Sequence, residues 1–187
     1  MKLYILRHGV TDWNREYRLQ GQTDIPLNED GREMARKVSE EYKDVRIDYI
    51  FSSPLKRAYE TAQIVKGDRK IDVVTDDRLK EMCFGEYEGT TKDDREQGCS
   101  IAIYFEAPNH YKADRGAEEL DSLISRAGNF LEEVIFPMAK EHPDAGVLIS
   151  GHGALNKALM LNLRKAEKKD FWGGHVQRNC DIVSFDI

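Results

Sequence analysis

The sequence of 187 residues is poor in cysteine and has no long apolar segment. Its cysteines, Cys83, Cys99 and Cys180, are odd in number and widely spaced, so they fit neither a disulfide framework nor a zinc site. No apolar run approaches the roughly 18 residues that a membrane-spanning helix needs. The N-terminal apolar stretch is too short for a cleavable signal, because it ends at Arg7 and His8. We therefore expect a cytoplasmic protein with reduced thiols and no membrane partner.

An excess of positive charge is also lacking. The chain has 28 Lys and Arg residues against 34 Asp and Glu residues, which gives a formal net charge of −6. Binding to a nucleic-acid backbone depends on clustered Lys and Arg, so the composition predicts no nucleic-acid partner. A small anionic substrate stays compatible with it, because a cleft can be locally positive on an acidic protein.

The alternation of short apolar runs with amphipathic stretches predicts an α/β fold, with a mostly parallel sheet and helices on both of its faces. The predicted strands are residues 2–7, 48–52, 71–74, 146–150 and 182–185. The predicted helices are residues 28–42, a helix that starts at 54, residues 119–140 and residues 154–163.

Particular residues set the expected ends of these helices. Asn28 and Ser53 are predicted N-caps, and Pro54 is expected at the first position of its helix. Pro137 is expected to bend or end the long helix. From about residue 86 to 114 the pattern dissolves into charges, glycine and scattered aromatics. We predict a single domain, residues 1–187, with a small cap insertion at about residues 88–116.

Ionisable side chains follow four of the predicted strands. Arg7 and His8 follow the first, Arg57 the second, Glu81 the third and His152 the fourth. In a parallel sheet these strand ends share one edge, where ligands bind. The guanidinium fork matches phosphate oxygens, a neutral imidazole is a good nucleophile near pH 7, and a carboxyl group can protonate a leaving alkoxide. Each residue alone is more often structural or solvated, so the joint placement carries the prediction of phosphoryl transfer.

Five segments, in order, closely resemble the motifs of the histidine phosphatase superfamily, the phosphoglycerate mutase-like proteins. They are residues 6–14 (LRHGVTDWN), 20–28 (QGQTDIPLN), 52–62 (SSPLKRAYETA), 79–89 (LKEMCFGEYEG) and 150–153 (SGHG). The resemblance implies that His8 is a nucleophile that becomes a phosphohistidine, and that Glu81 is the general acid and then the base for water. It implies that the phosphorylated substrate is bound by Arg7, Asn14, Gln20, Gly21, Arg57 and His152.

The resemblance implies no metal and no other cofactor, because the two arginines supply the charge stabilisation. The short insertion and the acid-bearing segment look more like the small-molecule phosphatases of the superfamily than its mutases. We therefore expect a phosphomonoester hydrolase that acts on a small phosphorylated metabolite. Two alternatives stay open: a cofactor-dependent phosphoglycerate-type mutase and, less favoured, an inactive phospho-ligand-binding module. A thiolate phosphatase is excluded, because no cysteine has an arginine six positions on.

The chain departs from the family pattern at Val10, where glutamate is frequent, and after His152, where residues 154–157 (ALNK) are more polar than usual. The pocket walls are expected to come from Trp13, Gln20, Gln22, Cys83, Phe84, Tyr104, Phe105 and Tyr111. For the aromatics, simple packing within the cap is an equal alternative. The basic residues of the cap either contact a second anionic group or keep the segment soluble: Lys92, Arg95, Lys112 and Arg115.

Overall fold

A computed structural model describes residues 1–187, and its centre is a five-stranded sheet. The strands are β1 (Lys2–Arg7), β2 (Tyr49–Ser52), β3 (Val73–Thr75), β4 (Gly146–Gly151) and β5 (Ile182–Asp186). Their order across the sheet is β3-β2-β4-β1-β5. All neighbours pair in parallel except β5, which is antiparallel to β1. The predicted fold class, a mostly parallel α/β sheet, is confirmed.

Helices cover both faces of the sheet. They are α1 (Asp12–Arg15), α2 (Glu29–Glu41), α3 (Lys56–Lys66), α4 (Ser100–Glu106), α5 (Leu120–Phe130), α6 (Phe136–Glu141) and α7 (Gly153–Arg164). Since strand side chains alternate between faces, Leu3 and Ile5 of β1 pack with α5 and α7, whereas Leu6 packs with α2 and α3. The core is unequal, with 24 buried residues on the α5 and α7 side and 9 on the other. No helix is long and apolar enough to cross a membrane.

The long helix is continuous where an end was expected. A π-helical segment, Leu131–Ile135, joins α5 to α6, and the Phe136 N–H donates to the Leu131 carbonyl. Pro137 follows the π segment within this continuous helix, where it cannot donate a backbone hydrogen bond to the preceding turn. Of the two predicted outcomes, a bend or an end, the helix does not end at Pro137, and the wide π turn is the local distortion that accommodates the proline.

The start of α3 also differs from the prediction. The Ser53 hydroxyl accepts a hydrogen bond from the Leu55 N–H at 3.2 Å and closes a tight turn, so the helix begins only at Lys56. Ser53 is not an N-cap, because its hydroxyl accepts its hydrogen bond from an N–H group of the turn before the helix and not from one of the helix itself. The shift places Arg57 in the first turn of α3. By contrast, Asn28 caps α2 as predicted, accepting from the Gly31 N–H at 2.9 Å.

Residues 88–116 add no strand to the sheet and contain α4 and a 3-10 turn, Pro108–His110. Their apolar side chains Ile101, Tyr104 and Tyr111 are buried in the larger core with residues of α5 and α7. The segment is therefore fastened to the main body by packing.

Candidate active site

The two predicted histidines lie side by side because their strands are neighbours. Arg7 of β1 is in register with Gly151 of β4, and each strand is followed at once by a histidine. The His8 N–H donates to the Gly151 carbonyl at 3.0 Å. The rings of His8 and His152 have centroids 5.2 Å apart, with His8 3% exposed and His152 fully buried. The sheet register alone thus joins two residues that are far apart in sequence.

Hydrogen bonding and charge fix the chemical state of His8. Its Nδ1 lies 2.6 Å from the Gly9 carbonyl oxygen. A carbonyl only accepts, so the proton sits on Nδ1 and the lone pair is on Nε2. Burial, together with the positive charges of Arg57 and Arg7, holds the pKa of His8 well below its usual 6.5. The ring is therefore neutral near pH 7, with Nε2 free to act as a nucleophile.

Backbone carbonyls, rather than carboxylates, hold the two arginines. Arg7 donates to the Gln177 carbonyl at 2.6 Å, and Arg57 donates to the carbonyls of Gly21 and Thr23 at 2.6 and 2.9 Å. Burial lowers the pKa of Arg7, and it lowers that of Arg57 to about 10, so both remain charged near pH 7. Two buried positive charges without a contacting carboxylate suit an anionic ligand.

Several buried nitrogens at this place have no hydrogen-bond partner within the protein. They are Nε of Arg7, Nε of Arg57 and both ring nitrogens of His152. Burial also holds the pKa of His152 well below 6.5, aided by the charge of Arg57. Unpaired buried polar atoms are costly and rare. Phosphoryl oxygens accept hydrogen bonds, so they would satisfy the Nε–H groups of Arg7 and Arg57 and the one N–H of the neutral His152 ring.

Glu81 reaches the same place from the segment after β3, the strand at one edge of the sheet. Its carboxylate accepts hydrogen bonds from the N–H groups of Ala154 and Leu155, in the first turn of α7, at 3.1 and 2.9 Å. A helix N-terminus is a favourable place for a carboxylate. A side chain at Gly153 would lie 3.6 Å from this carboxylate and 3.7 Å from the Arg7 guanidinium. Both distances are ordinary van der Waals contacts, so the first turn of α7 passes close to both the acid and the arginine.

An arginine that the sequence analysis did not single out supports Glu81. Arg126, on α5, donates to the Glu81 carbonyl at 2.9 Å and to the carbonyls of Arg78 and Lys80 at 2.6 Å each. Its remaining donors meet the carboxylate of Glu118 at 2.8 and 3.0 Å. The expectation that Glu81 follows directly from a strand is thus incomplete. Strand β3 is a three-residue edge strand, so Arg126 and α7 place the acid.

Glu88 shapes the loop that holds Arg57. Its carboxylate accepts from the backbone N–H groups of Gln22 and Thr23 at 2.9 and 2.8 Å. Gly21 has φ of +54°, and a side chain there would lie 2.0 Å from the Glu88 carboxylate. Glycine is therefore favoured at 21, and the carboxylate fixes the loop whose two carbonyls position Arg57. This role of Glu88 was not predicted, although the residue lies in a recognised motif.

These groups border one cavity of about 250 Å³. Its lining includes all but one of the predicted site residues: Arg7, His8, Asn14, Gln20, Gly21, Arg57 and Glu81. The exception is His152, whose ring packs against that of His8 and is fully buried from solvent. The carbonyl of the Asn14 side chain completes a capping box with Thr11, which leaves its amide N–H groups free to donate towards the cavity.

The walls were predicted only in part. Gln20, Phe84 and Phe105 line the cavity, whereas Trp13, Gln22, Cys83, Tyr104 and Tyr111 do not. Tyr104 is the centre of a buried aromatic cluster, and the Gln22 side chain donates to the Glu81 carbonyl. The basic cap residues Lys92, Arg95, Lys112 and Arg115 lie elsewhere. The unpredicted lining residues are Arg18, Leu19, Gly153, Ala154, Lys157, Met160, Trp172, Val176 and Gln177.

Side chains that could hold a metal ion are not grouped anywhere in the chain. No cluster of three or more His, Cys, Asp or Glu residues has a suitable arrangement. The three cysteines are unpaired, and burial raises the pKa of the Cys180 thiol to about 12, so this thiol is not a nucleophile near pH 7.

Comparison with known proteins gives matches over nearly the whole chain. The family model of the histidine phosphatase superfamily (branch 1) matches residues 3–187. Uncharacterized phosphatase PhoE of Bacillus subtilis is 37% identical over 159 residues, which are 85% of this chain and 75% of that protein. Phosphoserine phosphatase 1 of Hydrogenobacter thermophilus is 30% identical, over 100% of this chain and 85% of that protein.

A solved structure gives the same result. Mycobacterial glucosyl-3-phosphoglycerate phosphatase in complex with VO3 superposes with a TM-score of 0.87 at 30% identity, covering 98% of this chain and 91% of that chain.

Proposed function

The chain belongs to branch 1 of the histidine phosphatase superfamily, and we propose that its cavity hydrolyses phosphomonoesters through a phosphohistidine formed on His8. One observation carries the assignment of roles. A neutral imidazole with a fixed tautomer lies among buried, unpartnered nitrogens of Arg7, Arg57 and His152. This combination offers a nucleophile and an oxyanion site in one enclosed place.

In the first step, His8 Nε2 attacks the phosphorus atom and the bond from phosphorus to the ester oxygen breaks. Glu81, in its protonated form, gives its proton to the leaving alkoxide. Arg7, Arg57 and His152 bind the non-bridging oxygens, with Asn14 as a further donor. Stabilising the charge that develops on these oxygens is the largest contribution expected from the site.

In the second step, the Glu81 carboxylate takes a proton from a water molecule that attacks the phosphohistidine. The bond from nitrogen to phosphorus breaks, inorganic phosphate leaves, and His8 returns to its neutral state. Glu81 is protonated again and ready for the next ester. The two guanidinium groups supply the positive charge that Mg²⁺ gives in other phosphoryl-transfer sites, so no metal is needed.

The substrate is a small phosphorylated metabolite. The cavity of about 250 Å³ suits such a molecule, and two of the three named relatives are phosphatases of phosphoserine and of glucosyl-3-phosphoglycerate. We propose one domain, in which Phe105 of the cap segment, residues 88–116, walls one side of the cavity. The cytoplasmic location and the absence of nucleic-acid and membrane partners stay predictions.

The decisive experiment is phosphate release in excess EDTA from an aryl phosphate and a panel of phosphorylated metabolites. Wild type and His110→Ala, which removes an exposed histidine outside the cavity, should be active, and His8→Ala should be inactive. Loss of activity in EDTA would contradict the metal-free mechanism. Transfer to a second hydroxyl that needs a bisphosphate primer would identify a mutase. Tight binding of vanadate without turnover of any ester would identify a binding module.

A further inference from the structure

The loop that leads into β5 holds Arg7 in place. We call residues 173–181 the return loop. The Arg7 guanidinium has one hydrogen bond within the protein, from Nη1 to the Gln177 carbonyl at 2.6 Å. The backbone of Arg7 is bonded to the same loop, since its N–H donates to the Asp181 carbonyl and its carbonyl accepts from the Cys180 N–H. The position of the guanidinium therefore depends on where the return loop places the Gln177 carbonyl.

A pair of buried side-chain amides fixes Gln177. Its Nε2 donates to the carbonyls of Ile5 and Asp181 at 2.8 and 2.9 Å, and its Oε1 accepts from Asn156 Nδ2 at 3.0 Å. Asn156, on α7, also donates to the Leu6 carbonyl at 3.2 Å. Gln177 is 4% exposed and Asn156 is fully buried. The two amides therefore link the return loop to β1 and α7 inside the protein.

The acceptors around this amide pair allow only one arrangement. The carbonyls of Ile5, Leu6 and Asp181 cannot donate, so the nitrogen of each amide must face them. Each amide nitrogen carries two N–H groups, and all of these have an acceptor once the Gln177 oxygen faces Asn156. Turning either amide over would place oxygen against oxygen. The pair therefore holds the Gln177 backbone in one position.

Stability alone does not account for Asn156. Its Oδ1 is buried without a donor, and a side chain at Gly151 would lie 2.4 Å from it. A buried unpaired oxygen costs free energy that an apolar side chain would avoid. Asn156 and its neighbour Lys157, which donates to the Gly173 carbonyl at 2.7 Å, are the polar residues of the segment 154–157 that departs from the family pattern. Both of them attach α7 to the return loop.

We propose that Asn156 and Gln177 are positioning residues for Arg7: their amide pair sets the Gln177 carbonyl and, through it, the guanidinium that binds the phosphoryl oxygens. The proposal rests on the proposed phosphatase function and adds two residues that act on it from behind the site. Because Arg7 binds the non-bridging oxygens, a misplaced guanidinium should affect every phosphomonoester alike, whatever its leaving group.

The test uses Gln177→Met, which keeps the length of the side chain and the backbone carbonyl but removes the amide. We expect kcat/KM to fall by about 10- to 100-fold for alkyl and aryl phosphates alike, since misplacing a group by about 1 Å has an effect of this size. The inhibition constant of vanadate, an oxyanion analogue of the phosphoryl group, should rise by a similar factor. Asn156→Ala should show the same pattern with smaller changes, because Gln177 keeps two of its three bonds. Asn162→Ala removes an amide of the same helix that donates to the Ile124 and Ala158 carbonyls, and it should change neither value.

The effect should also depend on Arg7. Arg7→Met removes the guanidinium and should itself lower kcat/KM by about 10²–10³. In this background, Gln177→Met should cause no further loss of aryl phosphate hydrolysis, because the group that it positions is absent. A second loss of the same size would overturn the proposal.

Three other results would also overturn it. The first is a lower kcat with an unchanged vanadate inhibition constant, which a smaller folded fraction would produce. The second is a loss confined to alkyl phosphates, which would assign the amide pair to Glu81, and the third is unchanged kinetics. If Gln177→Met does not fold, Asn156→Ala decides by the same measurements. Hydrolysis of an aryl phosphate that depends on His8 would still support the phosphatase function in each of these cases.

Discussion

The two ends of the cavity are built by different means. At the phosphoryl end, Arg7 ends β1, and His8 and His152 directly follow the neighbouring strands β1 and β4. Backbone carbonyls accept hydrogen bonds from the guanidinium groups of Arg7 and Arg57. At the distal end, the walls come from α4, α7 and the loop that contains Trp172. The first end fixes charge and geometry for one chemical group. The second is mostly apolar, with Phe105, Met160 and Trp172 in its wall, so it contributes shape and not charge to the cavity.

The largest effect is expected at Glu81, which lies between the two ends. Its replacement should change how kcat depends on the leaving group of the ester. Glu81→Gln keeps the shape of the side chain but cannot give up a proton. It should lower kcat for alkyl phosphates by about 10²–10⁴ and for aryl phosphates by less, because aryl oxides need less protonation. Steady-state kcat values for matched alkyl and aryl esters measure the difference. Equal losses for the two classes would argue against the acid role.

A uniform loss would mark the phosphoryl end. Arg57→Lys retains a charge but loses the planar fork, so it should lower kcat/KM by about 10²–10³ for every phosphomonoester, whatever its distal group. Steady-state kcat/KM values over the panel of phosphorylated metabolites provide the measurement, and thermal unfolding checks that α3 and its loop stay folded. A loss confined to substrates with one kind of distal group would contradict the proposed division between the two ends.

Arg126 should act on catalysis only through Glu81. Arg126→Met removes the donors to the carbonyls around Glu81, and a displaced acid should lower kcat for alkyl phosphates by up to about 10²-fold. Aryl phosphates should be affected less, as for Glu81→Gln. Arg69→Met is the control, since Arg69 also donates to several carbonyls but lies away from the cavity. A loss that is independent of the leaving group, or shared with the control, would show general destabilisation.

The smallest effect expected is on stability. Burial holds the pKa values of His8 and His152 well below 6.5, so below about pH 6.5 the unfolded chain binds protons that the folded protein does not. The free energy of unfolding should therefore decrease as pH falls, by up to about 1.4 kcal/mol per pH unit for each histidine. Urea unfolding at several pH values should show a shallower decrease for His152→Asn. An unchanged slope would contradict the buried neutral state.

The same contrast explains what the sequence could predict. His8 and His152 were predictable because buried parallel strands bring their ends to one edge, and Arg57 follows a strand through one short turn. Family motifs identified Glu81, but its support by Arg126 depends on how α5 packs, which no local pattern encodes. The polar sequence that contains Lys157 was visible as a departure. Its burial in the wall became evident only from the face that α7 presents.

The prediction that Ser53 caps α3 was wrong, and of the two outcomes predicted for Pro137, a bend or an end, the helix does not end there. Ser53 and Pro137 carry strong local preferences, for capping a helix and for ending one. In the folded chain Ser53 closes a turn before α3, and the π segment before α6 accommodates Pro137. Tertiary packing overrides such preferences at the ends of helices. In the central strands, the alternation of buried residues leaves little freedom in the register of the strands.

The central claim is that His8 carries the phosphoryl group between the two steps. The most direct test mixes the protein with ³²P-labelled aryl phosphate in EDTA, quenches into alkali, which preserves phosphohistidine, and maps the labelled peptide. We predict label on the peptide that contains His8, and none in His8→Ala. Label on the peptide of His152, or steady turnover without any labelled histidine, would contradict the account.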